Sequence, residues 1–183
     1  STVKSDAYSC TMPDTLSNTY RHTEAVKRLS IHRDTLAAMD IWQEIIANDS
    51  TYAPALYYLS RVERAPERTI RYAYRAFAAD STNKWYTENY ASQLIASRQY
   101  ARAIPIFRRL MRLDPKNLQS YNALAILYGT SGMPYSAIAI LDSAEIRVGY
   151  NSFLAEIQQQ LLLDTRQYDR AIEAGKRRVE EHP

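Results

Sequence analysis

A single cysteine, Cys10, occurs in 183 residues, so no disulfide within the chain can brace its fold. Glycine is nearly as scarce, with four in the whole chain, and most of the seven prolines fall between segments of helical apolar periodicity. That combination excludes a turn-rich β-sandwich and favours helices joined by tight turns. No apolar run approaches the roughly 18 residues that a membrane-spanning helix needs. Charge of one sign is missing too. The net charge is +3, with acidic and basic residues interleaved, too mild for the strongly basic face of a nucleic-acid binder.

Recognisable catalytic chemistry is absent as well. There is no glycine-rich phosphate loop and no nucleophile elbow. His22, His32 and His182 stand in no metal-ligand spacing with one another or with Cys10. Glu88 and Glu156 fall on segments too far apart for paired acid–base work. The expectation is a chain that is not an enzyme and holds no cofactor or metal. Its 46 % hydrophobic and 23 % charged residues are ordinary for a folded protein, not a disordered one.

What the chain does contain is repetition. Asn83, Asn117 and Asn151 recur at a step of 34 residues, each where an asparagine can cap the start of a helix. Ala103, Ala137 and Ala171 follow the same step as small residues early in a helix, and Leu94, Tyr128 and Leu162 as large residues late in the preceding one. Arg98, Gly132 and Arg166 mark the turn between, and Tyr100 and Tyr168 share a slot beyond it. From Ala103 back to Ala38 is 65 residues, so one unit is three residues short, with an abbreviated turn at Glu63–Pro66.

This periodicity divides residues 17–183 into units at about 19–52, 53–83, 84–117, 118–151 and 152–183, behind a polar leader of residues 1–16. First helices are predicted over 17–30, 53–62, 84–97, 118–131 and 152–163, and their partners over 33–47, 66–79, 100–112, 134–147 and 168–181. Pro54, Pro66 and Pro134 fall in first turns, where a missing N–H is harmless. Pro105 lies about five residues into its helix, so that helix is expected to start late or to bend.

The pattern resembles tetratricopeptide repeats. Unit 118–151 carries it best, with Tyr121, Leu124, Ala125, Tyr128, Gly132, Ala137, Leu141 and Ala144. Unit 84–117 follows with Tyr90, Ala91, Leu94, Tyr100, Ala103, Phe107 and Pro115. A small residue on each helix lets the two approach closely, and large residues fill the space beside it. The resemblance implies an all-α right-handed solenoid of about five antiparallel helical hairpins. It is weakest in the last unit, where Gln158, Gln159, Gly175 and Arg178 occupy core slots unless the first helix slips by one. That unit reads as a frayed or interrupted end. A terminal repeat needs a polar cap, and the array is expected to continue in a longer chain.

Several side chains carry expectations of their own. Tyr90, Tyr100, Tyr121, Tyr128 and Tyr168 are read as structural. His22 is expected on the buried face of the first helix. The basic stripe Arg61, Arg64, Arg68, Arg71 and Arg75 reads as a solvated face, with Arg68, Arg71 and Arg75 opposite a core of Ile70, Tyr74 and Phe77. Arg108, Arg109, Arg112 and Lys116 read the same way.

The resemblance also implies that first helices line a concave groove that binds a protein or peptide. The residues expected there include Tyr57, Arg61, Arg64, Trp85, Glu88, Ser92, Asn122 and Ile126. The same row includes Tyr20 and Phe153, which either face the guest or pack on the next hairpin. Aromatic and arginine anchors commonly dominate binding energy. The Lys/Asn/Lys/Arg set that clamps chaperone tails in this family is not matched, since its slots hold Tyr57 and Arg61, Asn89, and Gln119 and Ala123. Alternatives are a regulatory or targeting segment of a larger enzyme and an RNA-binding helical repeat. Nucleic acid is the less favoured partner, and the oligomeric state is left open. The polar leader, missing methionine and abundant tyrosine resemble exported bacterial proteins of the cell envelope, slightly ahead of a cytoplasmic setting.

Overall fold

The computed structural model describes residues 17–181. The leader and Cys10 lie outside them, as do His182 and Pro183. Among the described residues the secondary structure is ten α-helices. They are α1 Asn18–Ser30, α2 Thr35–Asn48, α3 Ala53–Val62, α4 Pro66–Ala79, α5 Lys84–Ala96, α6 Tyr100–Leu113, α7 Leu118–Thr130, α8 Pro134–Val148, α9 Ser152–Asp164 and α10 Tyr168–Glu181. Consecutive helices pack in pairs, α1 on α2 through to α9 on α10. The chain forms two compact units, one of α1–α4 ending at Ala79 and one of α5–α10 beginning at Asp80.

The recurrent asparagines do the work the spacing assigns them. Asn83 Oδ1 accepts from the backbone N–H of Trp85 at 3.0 Å, Asn117 Oδ1 from Gln119 at 3.0 Å, and Asn151 Oδ1 from Leu154 at 3.1 Å. Each satisfies a donor that the first turn of a helix leaves unpaired. Ser17 and Asp34 cap α1 and α2 the same way.

Four of the five hairpin turns share one device. Arg33, Arg98, Gly132 and Arg166 all adopt positive φ, between 53° and 74°. In the last three, the next residue's N–H returns to a carbonyl of the first helix, as from Gln99 to Leu94, Met133 to Tyr128 and Gln167 to Leu162, each at 2.8 Å. This left-handed closure satisfies the helix's last carbonyls. The turn between α3 and α4 is the exception, but not the abbreviated turn expected. It spans 63–65, as long as 97–99, 131–133 and 165–167. The unit is short because α3 has 10 residues where α5, α7 and α9 have 13 each. In this turn the Glu63 carboxylate accepts from the N–H of Arg64 at 2.8 Å and of Ala65 at 3.0 Å, and pairs with Arg68. A side chain closes this turn where a left-handed residue closes the others.

Small residues seat the hairpins. Ala103, Ala137 and Ala171 are all buried, as are Leu94, Tyr128 and Leu162. In the first unit Ala25, Ala38, Trp42, Ile45, Ala55 and Leu59 form one core. In the second, Tyr121, Ala125, Leu141, Ala144 and Leu154 form another, with Ile138, Leu162 and Ala171 in a smaller cluster. Full burial of a leucine is worth about 1.5–3 kcal/mol, so these positions carry most of the fold.

The structure corrects four further expectations. First, α6 does not start late: it begins at Tyr100 and runs through Pro105. Pro105 and Ala101, whose carbonyl loses its partner, are both exposed, so water can take the freed oxygen. Second, Tyr100 and Tyr168 are not core residues, being 46 % and 55 % exposed. Each is the first residue of its helix, where the side chain leans back over the preceding turn. Third, α4 buries Thr69, Ala73 and Ala76, while Tyr74 is exposed and Ile70 and Phe77 are half-buried. The small trio lets α4 lie close to α3, which buries Ala55, Leu56, Leu59 and Ser60. Fourth, α9 does not slip, nor is α10 broken before Glu181. Gln158 sits midway between buried Leu154 and Leu162 and donates to Asp142, which also pairs with Arg170. Gln159 accepts from Arg178 Nη1 at 2.9 Å, and a Cβ on Gly175 would approach its Nε2 to 2.8 Å. In the last hairpin these polar contacts stand beside the apolar packing of Leu154, Leu162 and Ala171.

Candidate binding groove

The sequence-derived groove residues separate between the two units. Tyr57, Arg61 and Arg64 belong to the first. Arg61 Nη1 donates to the Tyr57 hydroxyl at 2.8 Å and its guanidinium stands 5.5 Å from that ring's centroid. Arg64 is exposed beside them in the chain. Arginine and tyrosine therefore form a preassembled pair, with the cation held over the ring.

In the second unit, Ser92, Asn122 and Ile126 meet in one open groove of about 560 Å³. Ser92 and Ile95 come from α5, Tyr100 and Phe107 from α6, and Asn122, Ala123, Ile126, Leu127 and Thr130 from α7. Buried Phe107 and Leu127 form its floor, while Tyr100 and Ile126, 48 % exposed, stand at its mouth. Asn122 Oδ1 is shut off from solvent without a donor among the described residues. Trp85 and Glu88 do not line this groove. Trp85 projects from the first turn of α5, 57 % exposed, with Lys84 Nζ 5.1 Å from its ring.

Sequence reasoning missed Tyr100, Phe107 and Leu127 as groove residues. Tyr100 and Phe107 were read as structural slots of the repeat and Leu127 was not singled out, and repetition alone says nothing about which side of a buried residue a groove opens on. Phe153, the open case of the same row, is 58 % exposed. With Glu156, Gln160, Ile157 and Leu161 it lines a second depression of about 630 Å³ at α9. Tyr20 is also exposed.

His22 is not a site of this kind. Its Nδ1 accepts from Trp42 Nε1 at 3.0 Å, and its ring lies edge-on to Tyr52 and Tyr58. Burial pushes the imidazole below its usual pKa of 6.5. Among the described residues no group of three or more His, Cys, Asp or Glu is placed to hold a metal ion, and no helix is long and apolar enough to cross a membrane.

Paired antiparallel helices, a 34-residue step, capping asparagines and left-handed turns together define a tetratricopeptide-type helical repeat fold. No family model matches the chain, and no curated protein matches it. Solved structures do. The chain is similar to YrrB, described as a TPR protein with an unusual peptide-binding site, with TM-score 0.73 at 15 % identity over 91 % of this chain and 87 % of that one. It is similar to MamA, with TM-score 0.72 at 16 % identity over 88 % of this chain and 90 % of that one. MamA from Desulfovibrio magneticus RS-1 aligns with TM-score 0.66 at 12 % identity over 87 % and 92 %. At these identities the likeness is one of fold.

Proposed function

We propose that this chain is a protein- or peptide-binding scaffold with no catalysis of its own. The observation that carries the reading is the open, largely apolar groove formed by Ser92, Asn122, Ile126 and their neighbours on α5–α7. Concave apolar surfaces with a few convergent polar groups are where guests bind. The likeness to YrrB, described as having a peptide-binding site, supports it. The mild net charge of +3 supports a protein or peptide guest over nucleic acid. In this reading Tyr57, Arg61, Arg64, Trp85 and Glu88 contribute further contacts to the partner, and the repeat units fall at about 19–52, 53–83, 84–117, 118–151 and 152–183.

The test compares partners retained by the wild-type chain with those retained by Ile126→Lys, Trp85→Ala and Arg61→Ala. These side chains are exposed enough for the variants to fold, which circular dichroism checks. Loss of the partner with Ile126→Lys is expected. Unchanged partners in all three folded variants would remove the groove from the account.

A further inference from the structure

Helix α6 concentrates charge of one sign. It carries Arg102, Arg108, Arg109 and Arg112 and no carboxylate. Among the described helices, no other has more than one cation without an acidic residue of its own. At about 100° per residue, the four arginines and Pro105 fall within an arc of about 120°. Ala103, Phe107 and Leu110 are buried on the opposite side. Arg102, Arg108 and Arg112 are exposed, and Lys116, exposed just after the helix, adds a further cation.

Little in the surroundings neutralises this face. Helices α5 and α7, which pack against α6, have one carboxylate between them, Glu88. Asp114, at the end of α6, is engaged by Lys84 at 3.4 Å. Arg102 donates to neutral groups, Gln99 Oε1 at 2.6 Å and the Tyr90 hydroxyl at 3.1 Å. Arg109 donates to the Ser81 carbonyl at 2.7 Å and hydroxyl at 2.8 Å. Arg108 and Arg112, one turn apart, pair with no carboxylate among the described residues. On other second helices Arg68 pairs with Glu63, Arg170 with Asp142 and Arg177 with Glu145. Like charges at i and i+4 destabilise a helix, and an incoming carboxylate between them reverses the sign of that term.

The chemistry of the face selects among anions. A helix that lies on a lipid surface buries large apolar side chains there. This arc has none, since the apolar side of α6 is taken up by its own hairpin. Bases of a single-stranded nucleic acid stack on aromatic side chains, and the arc has none of those either. Arginines at spacings of three, four and seven on one helix match carboxylates at the same spacings on another, with the guanidinium geometry suited to each pair.

We propose that the outer face of α6 is a second docking surface, apart from the groove on α5–α7, and that it takes a protein helix bearing Asp or Glu at i, i+4 and i+7. Arg108 and Arg112 bind the partner's carboxylates, with Arg102 and Arg109 beside them. Lys116 adds to the field that steers the encounter. Of these residues none lines the groove, so this surface stands or falls independently of the groove reading.

The probe is a fluorescein-labelled, alanine-rich helical peptide with glutamate at i, i+4 and i+7. Its control has the same composition with the glutamates dispersed around the helix. Binding to the intact chain is read by fluorescence anisotropy at about 50 mM salt, where surface charges are weakly screened. Expected is saturable binding of the aligned peptide, at least roughly fivefold tighter than the control, and weaker at about 300 mM salt. Arg108→Glu with Arg112→Glu should lose at least roughly tenfold in affinity. A peptide with lysine at the three positions should prefer that variant to wild type. If circular dichroism shows the reversed variant unfolded, Arg108→Gln with Arg112→Gln should lose roughly threefold or more. No saturable binding, equal binding of the two peptides, or equal binding by wild type and the folded variants would overturn the proposal. So would tighter binding of a single-stranded RNA oligonucleotide, or of vesicles of phosphatidylserine and phosphatidylcholine, than of the aligned peptide.

Discussion

His22 shows how one side chain can tie pH to stability. Its Nδ1 must be unprotonated to accept from Trp42, and the ring is half-buried among Trp42, Tyr52 and Tyr58. Burial lowers its pKa, so between the folded value and the unfolded value near 6.5 the unfolded chain binds the extra proton. The first unit is thus expected to keep its full stability above pH 6.5 and to lose some as pH falls below it. His22→Gln can still offer an acceptor to Trp42 but cannot titrate in this range. It should flatten the dependence, measured as denaturant midpoints between pH 5 and 8 by tryptophan fluorescence. An unchanged slope in His22→Gln would place the pH response elsewhere. The sequence could suggest a partly buried histidine from helical phase, but not its partner, because Trp42 lies on the other helix of the hairpin.

At the scale of the element, the turn between α3 and α4 stands apart. Its Glu63 side chain is only 3 % exposed and accepts from two consecutive backbone N–H groups, whereas the other hairpins close through a residue at positive φ. Those N–H bonds, Ala65 foremost, hold the carboxyl below its usual pKa. Glu63→Ala is expected to lower stability by about 1–2 kcal/mol in urea unfolding, as loss of a helix-capping acceptor does. Glu63→Gln, which keeps one acceptor oxygen, should cost less. Equal stability of wild type and Glu63→Ala would show that Arg64 and Ala65 find water as good a partner. That this unit is three residues short was legible by counting, but not that the shortening falls in α3, nor that a carboxylate caps the turn after it. Asn83, Asn117 and Asn151 were legible because capping is chemistry within three residues. Tyr100 and Tyr168 were misread because exposure depends on where the neighbouring helix passes. The last hairpin looked defective for a related reason: Gln158 and Gln159 find partners in Asp142 and Arg178, 16 and 19 residues away.

For the whole molecule, repeat number bears on which part can stand alone. Each hairpin buries one face on its neighbour, so stability grows with the number of stacked units and about three are needed. The unit beginning at Asp80 contains three hairpins, α5–α6, α7–α8 and α9–α10, and two apolar clusters of its own. The unit ending at Ala79 contains two hairpins around one cluster. Every side chain lining the groove on α5–α7 belongs to the three-hairpin unit. The fragment 80–183 is therefore expected to be helical by circular dichroism, to melt in a single transition and to retain the partners of the intact chain. The fragment 17–79 should melt at a lower temperature and less sharply. If 80–183 were unfolded alone, its three hairpins would need packing from outside themselves. If it folded but no longer retained those partners, the guest would depend on residues before Asp80, with Tyr57 and Arg61 the first to mutate.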